Sequence, residues 1–371
     1  MLCFSLPIAT AALLTLLPLM NLPAEDFSVN SVKAGIKLEW EASPGYDYII
    51  WWSSSLAPPV WERAGNVFSR TAGTMSYFDP QGHAPQGYYR LEQTKPMVLV
   101  PGSDGAGVEY DFHIGRYEVT TAEFADFLAD PATSWSRWHD AKKQKIVRVV
   151  DKKAGVWVTA PMTGWEDRPV QQISWEAAAA FCNWLSQKEG LGVVYDEAGG
   201  WVADVSKNGY RLPTSKEWYK AGCWDPTKEG AGGFWTYACQ QDALRYSQAN
   251  YGGSYDPYAF ADTDALTTPV GFYDGSAYRL FFTPTPESGD FYTEDAKSYY
   301  GCYDMEGNVS EYVMIEADNA FVAGAMGSSW SWTYPSSWEH NAISEPRLVV
   351  STDRLHGFRI ARTAVPPVGT N

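Results

Sequence analysis

Gly301-Cys-Tyr-Asp-Met-Glu-Gly-Asn-Val-Ser-Glu-Tyr312 is the stretch around which this sequence is organised. Its two glycines bracket a turn, and Gly307 permits a backbone conformation that other residues rarely adopt. Such a turn can present oxygens near Asn308, and the carboxylate of Glu311 three residues on, to a hard cation such as calcium. The spacing leaves an alternative open, which is an ordinary turn leading into a strand with Glu311 bonded to the backbone.

The composition is that of a folded, loop-rich protein. Of 371 residues, 45% are hydrophobic and only 19% are charged, which argues against intrinsic disorder. The length allows two domains. The formal net charge is −16, and phosphate binding needs clustered Lys and Arg, so nucleic acid is excluded as an expected partner.

Residues 1–24 read as a secretory signal peptide. An apolar run over residues 2–22 ends at Pro23-Ala24, and Glu25-Asp26 follow. No Lys or Arg precedes the run, so an uncleaved membrane anchor is the alternative, although two prolines interrupt the run. We therefore expect a secreted, periplasmic or cell-surface protein with no transmembrane span in the mature chain.

Four cysteines would remain after removal of a leader that contains Cys3. They are Cys182, Cys223, Cys239 and Cys302. None belongs to a C-x-x-C pair and no histidine stands at metal-ligand spacing from them, so a zinc site is not expected. Disulfides and buried free thiols are equally compatible with the sequence.

Residues 25–95 alternate short apolar and polar segments with turn signals. Strands are predicted over residues 36–40, 46–52, 76–78 and 87–91. This spacing is typical of a small all-β sandwich of immunoglobulin or fibronectin type III character. It resembles the modules that precede catalytic or binding domains in secreted bacterial proteins. Residues 94–96 read as a linker.

Beyond residue 97 the pattern mixes strands with helices. A strand is predicted over residues 110–119, followed by a helix that Thr121 can cap. A second helix is expected after Ser174, with Cys182 on its apolar stripe and therefore in the core.

A third helix is expected after Thr214, because Thr214 and Glu217 have the spacing of a capping box. Arg211, just before it, is either a buried ion-pair partner or a surface residue, and we favour a structural pair.

Six motifs, taken in order, resemble those of the formylglycine-generating enzyme, or sulfatase-modifying factor, family. They are Gly115-Arg-Tyr-Glu-Val-Thr120, Arg168-Pro-Val-Gln-Gln-Ile-Ser-Trp175, Tyr210-Arg-Leu-Pro-Thr-Ser-Lys-Glu-Trp218, Tyr303-Asp-Met-Glu-Gly-Asn-Val-Ser-Glu-Tyr312, Gly327-Ser-Ser-Trp330 and Gly357-Phe-Arg359. The resemblance covers residues 97–364 and leaves 365–371 as a tail. It implies an irregular α+β fold related to C-type lectins.

The resemblance also implies two calcium sites. One would use Glu311 together with Gly307, Asn308 and Val309. The other would use Asn250, the Tyr251 carbonyl, Asp262 and the region of Asp264. Both sets are rich in oxygen, as calcium requires.

The family's catalytic cysteines, which bind copper, do not carry over. Their aligned positions, just after Met326-Gly-Ser-Ser329, hold Trp332 and Ser337. Without thiolates, neither a copper site nor the thiol exchange that begins oxidation of a substrate cysteine is expected. Ser329 is the remaining catalytic candidate, although no base lies near it in sequence.

Two functions are compatible with these observations. The first is a calcium-stabilised binding or accessory module that has lost the oxidase activity, and the missing cysteines favour it. The second is an enzyme of the formylglycine-generating and sulfoxide synthase superfamily that uses the same cleft for different chemistry. The aromatic stretch over residues 330–338 suits a protein, peptide or glycan ligand by stacking, with buried packing as the alternative.

Overall fold

The computed structural model divides into two compact units, residues 1–96 and 97–371. It describes residues 2–3, 27–32, 35–42, 46–54, 62–69, 73–79, 88–94, 96–138, 144–151, 156–251, 267–281, 288–317, 320–331, 347–348 and 355–364. Most of the expected leader and the expected tail over residues 365–371 lie outside these ranges.

The described part of the first unit is built from antiparallel strands. They are β1 (Leu2–Cys3), β2 (Phe27–Val32), β3 (Gly35–Ala42), β4 (Tyr46–Ser53), β5 (Glu62–Ser69), β6 (Gly73–Asp79) and β7 (Tyr88–Thr94). One sheet has the order β1-β7-β4-β5 and the other the order β2-β3-β6. Leu38 and Trp40 from one sheet and Tyr48 and Ile50 from the other are buried in one cluster, so the predicted alternation marks the inward-facing residues.

The second unit combines a few helices with small sheets, which confirms the α+β class. Its helices are α1 (Thr121–Ala129), α2 (Trp135–Trp138), α3 (Trp175–Lys188) and α4 (Ser215–Cys223), with 3₁₀ turns at Gly102–Asp104 and Lys228–Gly230. Within the described ranges, none of the helices has the length and apolar character that a bilayer crossing requires.

Fifteen further strands belong to the described part of this unit. They are β8 (Met97–Val100), β9 (Phe112–Gly115), β10 (Ile146–Asp151), β11 (Val156–Pro161), β12 (Tyr195–Asp196), β13 (Val202–Ala203), β14 (Trp224–Asp225), β15 (Gly233–Phe234), β16 (Ala277–Phe281), β17 (Ser288–Tyr292), β18 (Ser310–Ala317), β19 (Ala320–Met326), β20 (Arg347–Leu348), β21 (His356–Gly357) and β22 (Ala361–Thr363).

Helix starts follow the capping chemistry read from the sequence, with one shift. Ser174 caps α3 by accepting from the Ala177 amide, and Thr214 and Glu217 form the predicted capping box of α4. At α1 the cap is Thr120 and not Thr121, because the box with Glu123 requires a cap three residues before the glutamate.

Arg211 forms the structural pair that we favoured. Its guanidinium donates to both oxygens of Glu217 at 2.7 Å, and both side chains are buried. The Arg211 amide also donates to the Ala361 carbonyl in β22. Arg211 therefore connects the start of α4 to β22.

Strand pairing places the 301–312 stretch at the centre of the second unit. β18 pairs antiparallel with β19 and parallel with β21, so Glu311 lies opposite both Met326 and Gly357. A neighbouring sheet has the order β22-β9-β8. Its central strand, β9, is shorter than the strand predicted over residues 110–119.

The cysteines are free thiols in the cores on either side of this centre. Cys182 packs in the cluster around α3, as predicted, while the other three lie in the cluster around α4 and β9. Burial raises the pKa of all four thiols, that of Cys302 to about 11. Neutral thiols of this kind behave as small hydrophobic groups.

Candidate functional site

The turn before β18 depends on Gly307. Its φ is +77°, and a Cβ at this position would lie 2.2 Å from the backbone oxygen of Asn250. The same oxygen accepts a hydrogen bond from the Asn308 amide at 2.9 Å. A side chain at residue 307 would therefore meet both left-handed strain and a backbone clash.

Asn308 joins three distant segments at this turn. Its side-chain oxygen accepts from the Thr268 amide at 2.9 Å, and its side-chain nitrogen donates to Glu118 at 2.8 Å. Its backbone oxygen accepts from the Trp330 amide at 2.9 Å. Asn308 is fully buried, so the side chain acts as a cross-link.

Glu311 is half of a buried ion pair. The Arg359 guanidinium donates to both of its carboxylate oxygens, and the Trp218 indole donates to one of them at 2.8 Å. The two charged side chains are 1% and 0% exposed. Further N–H groups of Arg359 donate to the carbonyls of Gly115 and Tyr303 at 2.9 Å, so both partners are satisfied.

These contacts are a poor fit for a calcium ligand. Arg359 already supplies the cation that compensates Glu311, and a divalent ion beside it would be repelled by the guanidinium. Both side-chain and backbone oxygens of Asn308 accept hydrogen bonds as well. These hydrogen bonds argue against calcium at residues 307–311, and the site stays a prediction.

Only two of the residues of the second predicted calcium site are among the described residues. Asn250 and Tyr251 are buried, and the Asn250 backbone lies next to Gly307, whereas Asp262 and Asp264 lie outside the described residues. Across the described ranges, the His, Cys, Asp and Glu side chains form no group of three or more arranged for a metal. This site also stays a prediction.

Four buried carboxyl groups lie within electrostatic reach of one another or of Arg359. They are Glu118, Asp304, Glu306 and Glu311. Burial raises the pKa of Glu306 to about 8. Burial, with the nearby charges of Asp304 and Glu311, holds the pKa of Glu118 well above its usual range. Glu306 therefore retains its proton near neutral pH, because burial disfavours the charged carboxylate.

The loop after β19 is held against the turn. The Ser328 hydroxyl accepts from the Gly307 amide at 3.0 Å. Ser329 is fully buried, and its hydroxyl has no hydrogen-bond partner in the described part of the chain. Trp330 is buried too, while residues 332–338 of the aromatic stretch, which include Trp332 and Ser337, lie outside the described residues.

Sequence reasoning missed the partners that fix the turn. Glu118 lies 190 residues before Asn308, and Arg359 lies 48 residues after Glu311. Both occur inside the quoted motifs, so their co-occurrence with Gly307-Asn308 was the available signal. No local spacing connects them.

The domain class defined by this fold and these motifs agrees with a family comparison. Residues 85–364 match the sequence model described as the sulfatase-modifying factor enzyme 1-like domain. The chain therefore belongs to the sulfatase-modifying factor family, which the six motifs predicted.

Individual relatives are distant. A chaperone protein, LppX, of Paenibacillus barcinonensis is 24% identical over 54% of this chain and 61% of its own length. Hercynine oxygenase of Mycobacterium tuberculosis is 28% identical over 45% of this chain and 33% of its own length. The chain thus matches less than two thirds of either curated relative.

The chain is also similar to a solved structure. The crystal structure of CarF has a TM-score of 0.41 and 19% identity, and the match covers 69% of this chain and 87% of that one.

Proposed function

We propose that this protein is a secreted binding or accessory member of its family, and not a copper-dependent oxidase. The observation that carries the proposal is the state of its thiols. Positions aligned with the catalytic cysteines hold Trp332 and Ser337, and burial raises the pKa of each cysteine in the second unit. Copper binding and thiol exchange both need an accessible thiolate.

An accessory role also has support from one relative. LppX is named a chaperone protein, and a chaperone role would be an accessory role. The proposed ligand is a protein, peptide or glycan that stacks on the aromatic stretch over residues 330–338. In this proposal the second unit has a C-type-lectin-like fold, and the two sheets of the first unit form a sandwich that spaces or attaches it.

We further propose calcium at residues 250–264 as a stabilising ion. The Asn250 backbone oxygen contacts the Gly307 turn and accepts from the Asn308 amide, so an ion held by residue 250 would stabilise the turn. Oxygen donors from Asp262 and Asp264 are the ligand type that calcium prefers.

The alternative is an enzyme with different chemistry in the same cleft. Hercynine oxygenase belongs to the relatives, and the buried Ser329 hydroxyl beside the turn is without a hydrogen-bond partner in the described residues. A serine nucleophile would need a base to activate it. The histidines are scattered along the sequence, so the sequence does not identify one of them as this base.

The deciding experiment offers the protein a sulfatase-type peptide with a Cys-x-Pro-x-Arg core, with and without copper. Mass spectrometry should show an unmodified cysteine in both cases, because Cys182, Cys223, Cys239 and Cys302 are all buried. Conversion to formylglycine at enzymatic rates would overturn the proposal. A parallel oxygen-uptake assay with iron(II) and hercynine tests the alternative, which oxygen consumption above the protein-free rate would support.

A further inference from the structure

An open pocket lies in the second unit away from the Gly307 turn. It has a cavity volume of about 670 Å³ and is formed by the end of α1, the segment through α2 and one face of the β10–β11 ribbon. This volume is within the range of small-molecule sites. The six motifs that identify the family do not contribute to its lining.

The lining of this pocket includes Arg148, whose guanidinium lies near the indole rings of Trp135 and Trp157. The Arg148 guanidinium carbon lies 5.5 Å from the ring centre of Trp135 and 5.7 Å from that of Trp157. The ribbon register explains the placement: Arg148 is opposite Thr159 and Val150 is opposite Trp157, so Arg148 and Trp157 share a face.

The positive charge of Arg148 is not compensated within the described residues. Arg148 is exposed and has ring contacts there but neither a hydrogen bond nor an ion pair. The one carboxylate of the lining, Asp130, is already paired with Lys188 at 2.8 Å and accepts from the Trp184 indole at 3.0 Å. The pocket is therefore a local cationic site on a protein of net charge −16.

The rest of the lining supplies stacking surfaces and small polar groups. Trp157 is 61% exposed, so much of its indole surface beside Arg148 is accessible to a ligand, while Trp135 packs partly against the core. Thr133 and Ser136 place hydroxyls in the same lining. Indole faces accept the apolar face of a sugar ring, and hydroxyls and a guanidinium bond its polar edge.

We propose that this pocket binds an anionic sugar, with a pyranose ring stacked on Trp157 and its carboxylate or sulfate bonded to Arg148. The proposal goes beyond the accessory function, because it assigns a second ligand site with its own chemistry. A bidentate guanidinium contact gives such a site its preference for acidic over neutral sugars.

The test titrates the full chain with trigalacturonate, its methyl ester, a sulfated trisaccharide and triglutamate, followed by calorimetry and tryptophan fluorescence. Trigalacturonate or the sulfated sugar should bind saturably, and comparison of the two identifies the acidic group. The neutral ester should bind at least about ten-fold more weakly, since the charge-assisted bonds are lost.

Variants locate the site. Arg148→Gln and Trp157→Ala should each weaken binding by about ten-fold or more, with unchanged melting temperatures because both side chains are exposed. Val149→Ala, on the other face of the same ribbon, is the matched control and should bind normally.

The proposal fails if neither anionic sugar binds at millimolar concentration, if the ester or triglutamate binds equally well, or if Arg148→Gln has no effect. These results are independent of the peptide-conversion assay, so failure here leaves the proposed function standing, and failure there leaves this site standing.

Discussion

Arg359 and Glu311 form a two-pronged ion pair in the core of the second unit, with donors on Nε and Nη2 of the arginine facing the two carboxylate oxygens. Strand β18 supplies the glutamate, and the arginine follows β21 by two residues. The pair thus cross-links two strands that already run parallel and side by side.

Arg359→Met should lower the free energy of unfolding by about 3–5 kcal/mol, because it leaves the Glu311 carboxylate buried without a counter-charge. Urea denaturation measures the loss. The double variant with Glu311→Gln should lose less than the sum of the single variants. Arg245→Met is the control: its pair with Glu294 is exposed and should contribute less than about 1 kcal/mol. Equal losses for the buried and exposed arginines would contradict the assignment.

Gly307→Ala should destabilise the protein more than Gly164→Ala does. Both glycines have positive φ, +77° and +83°, but a Cβ at Gly164 meets open space whereas one at Gly307 meets the Asn250 carbonyl. Gly164→Ala therefore isolates the backbone strain, about 1–2 kcal/mol. Thermal melts of the two variants provide the comparison, and similar melting temperatures would argue against the close approach.

Glu306 makes stability depend on pH. Its pKa rises from 4.5 in the unfolded chain to about 8 in the fold because it is buried, so the folded state holds a proton that the unfolded state releases. The free energy of unfolding should then fall as pH increases from about 4.5 to about 8, by up to about 1.4 kcal/mol per pH unit. Denaturant titrations at several pH values measure the slope. Glu306→Gln should reduce the slope without removing it, because burial also raises the pKa of Glu118, and an unchanged slope would exclude Glu306 as a source.

Calcium should raise the melting temperature through residues 250–264. At free calcium of about one hundred times its dissociation constant the gain is about 2.7 kcal/mol for one site, and a chelator should remove it. Asp262→Asn should abolish this response. Glu311→Gln should lower the melting temperature equally with and without calcium, since Glu311 is bonded to Arg359. If Glu311→Gln alone abolishes the response, the ion binds at the 307–311 turn instead.

The thiols should be unreactive until the protein unfolds. In a Cys3→Ser chain, Ellman's reagent at pH 8 should label less than one thiol in the folded state and all four in denaturant, because the remaining cysteines are buried and free. Rapid labelling of a native thiol would reveal an accessible nucleophile and weaken the proposed function.

Local signals predicted local structure well. The caps at Ser174 and Thr214 were readable because capping uses residues three apart. The error at α1 arose because Thr120 and Thr121 are both able to cap a helix. Only Thr120 lies three residues before Glu123, the spacing that a capping box requires. The first unit's alternating segments likewise became β3, β4, β6 and β7.

The site was less predictable because its contacts are long-range. The turn at Gly307-Asn308 could be read from glycine and asparagine alone, but the partner of Glu311 could not. A carboxylate in a loop motif looks the same whether a metal or an arginine neutralises it, and Arg359 reaches it only through strand pairing. Arg148 and Trp157 were also missed, since their shared face exists only once the β10–β11 register is set.

The β22-β9-β8 sheet has a consequence for synthesis on the ribosome. Strand β9 is its central strand. One neighbour, β8, precedes it in the chain, but the other, β22, is synthesised near the end: Ala361 in β22 pairs with Ile114 in β9. While the chain is being translated, the edge of β9 that awaits β22 has no partner in this sheet, and unpaired strand edges promote aggregation. The strands of the first unit, which end at Thr94, have all emerged long before. Nascent chains stalled before residue 361 should therefore carry a folded first unit and a second unit in which β9 still lacks its β22 neighbour.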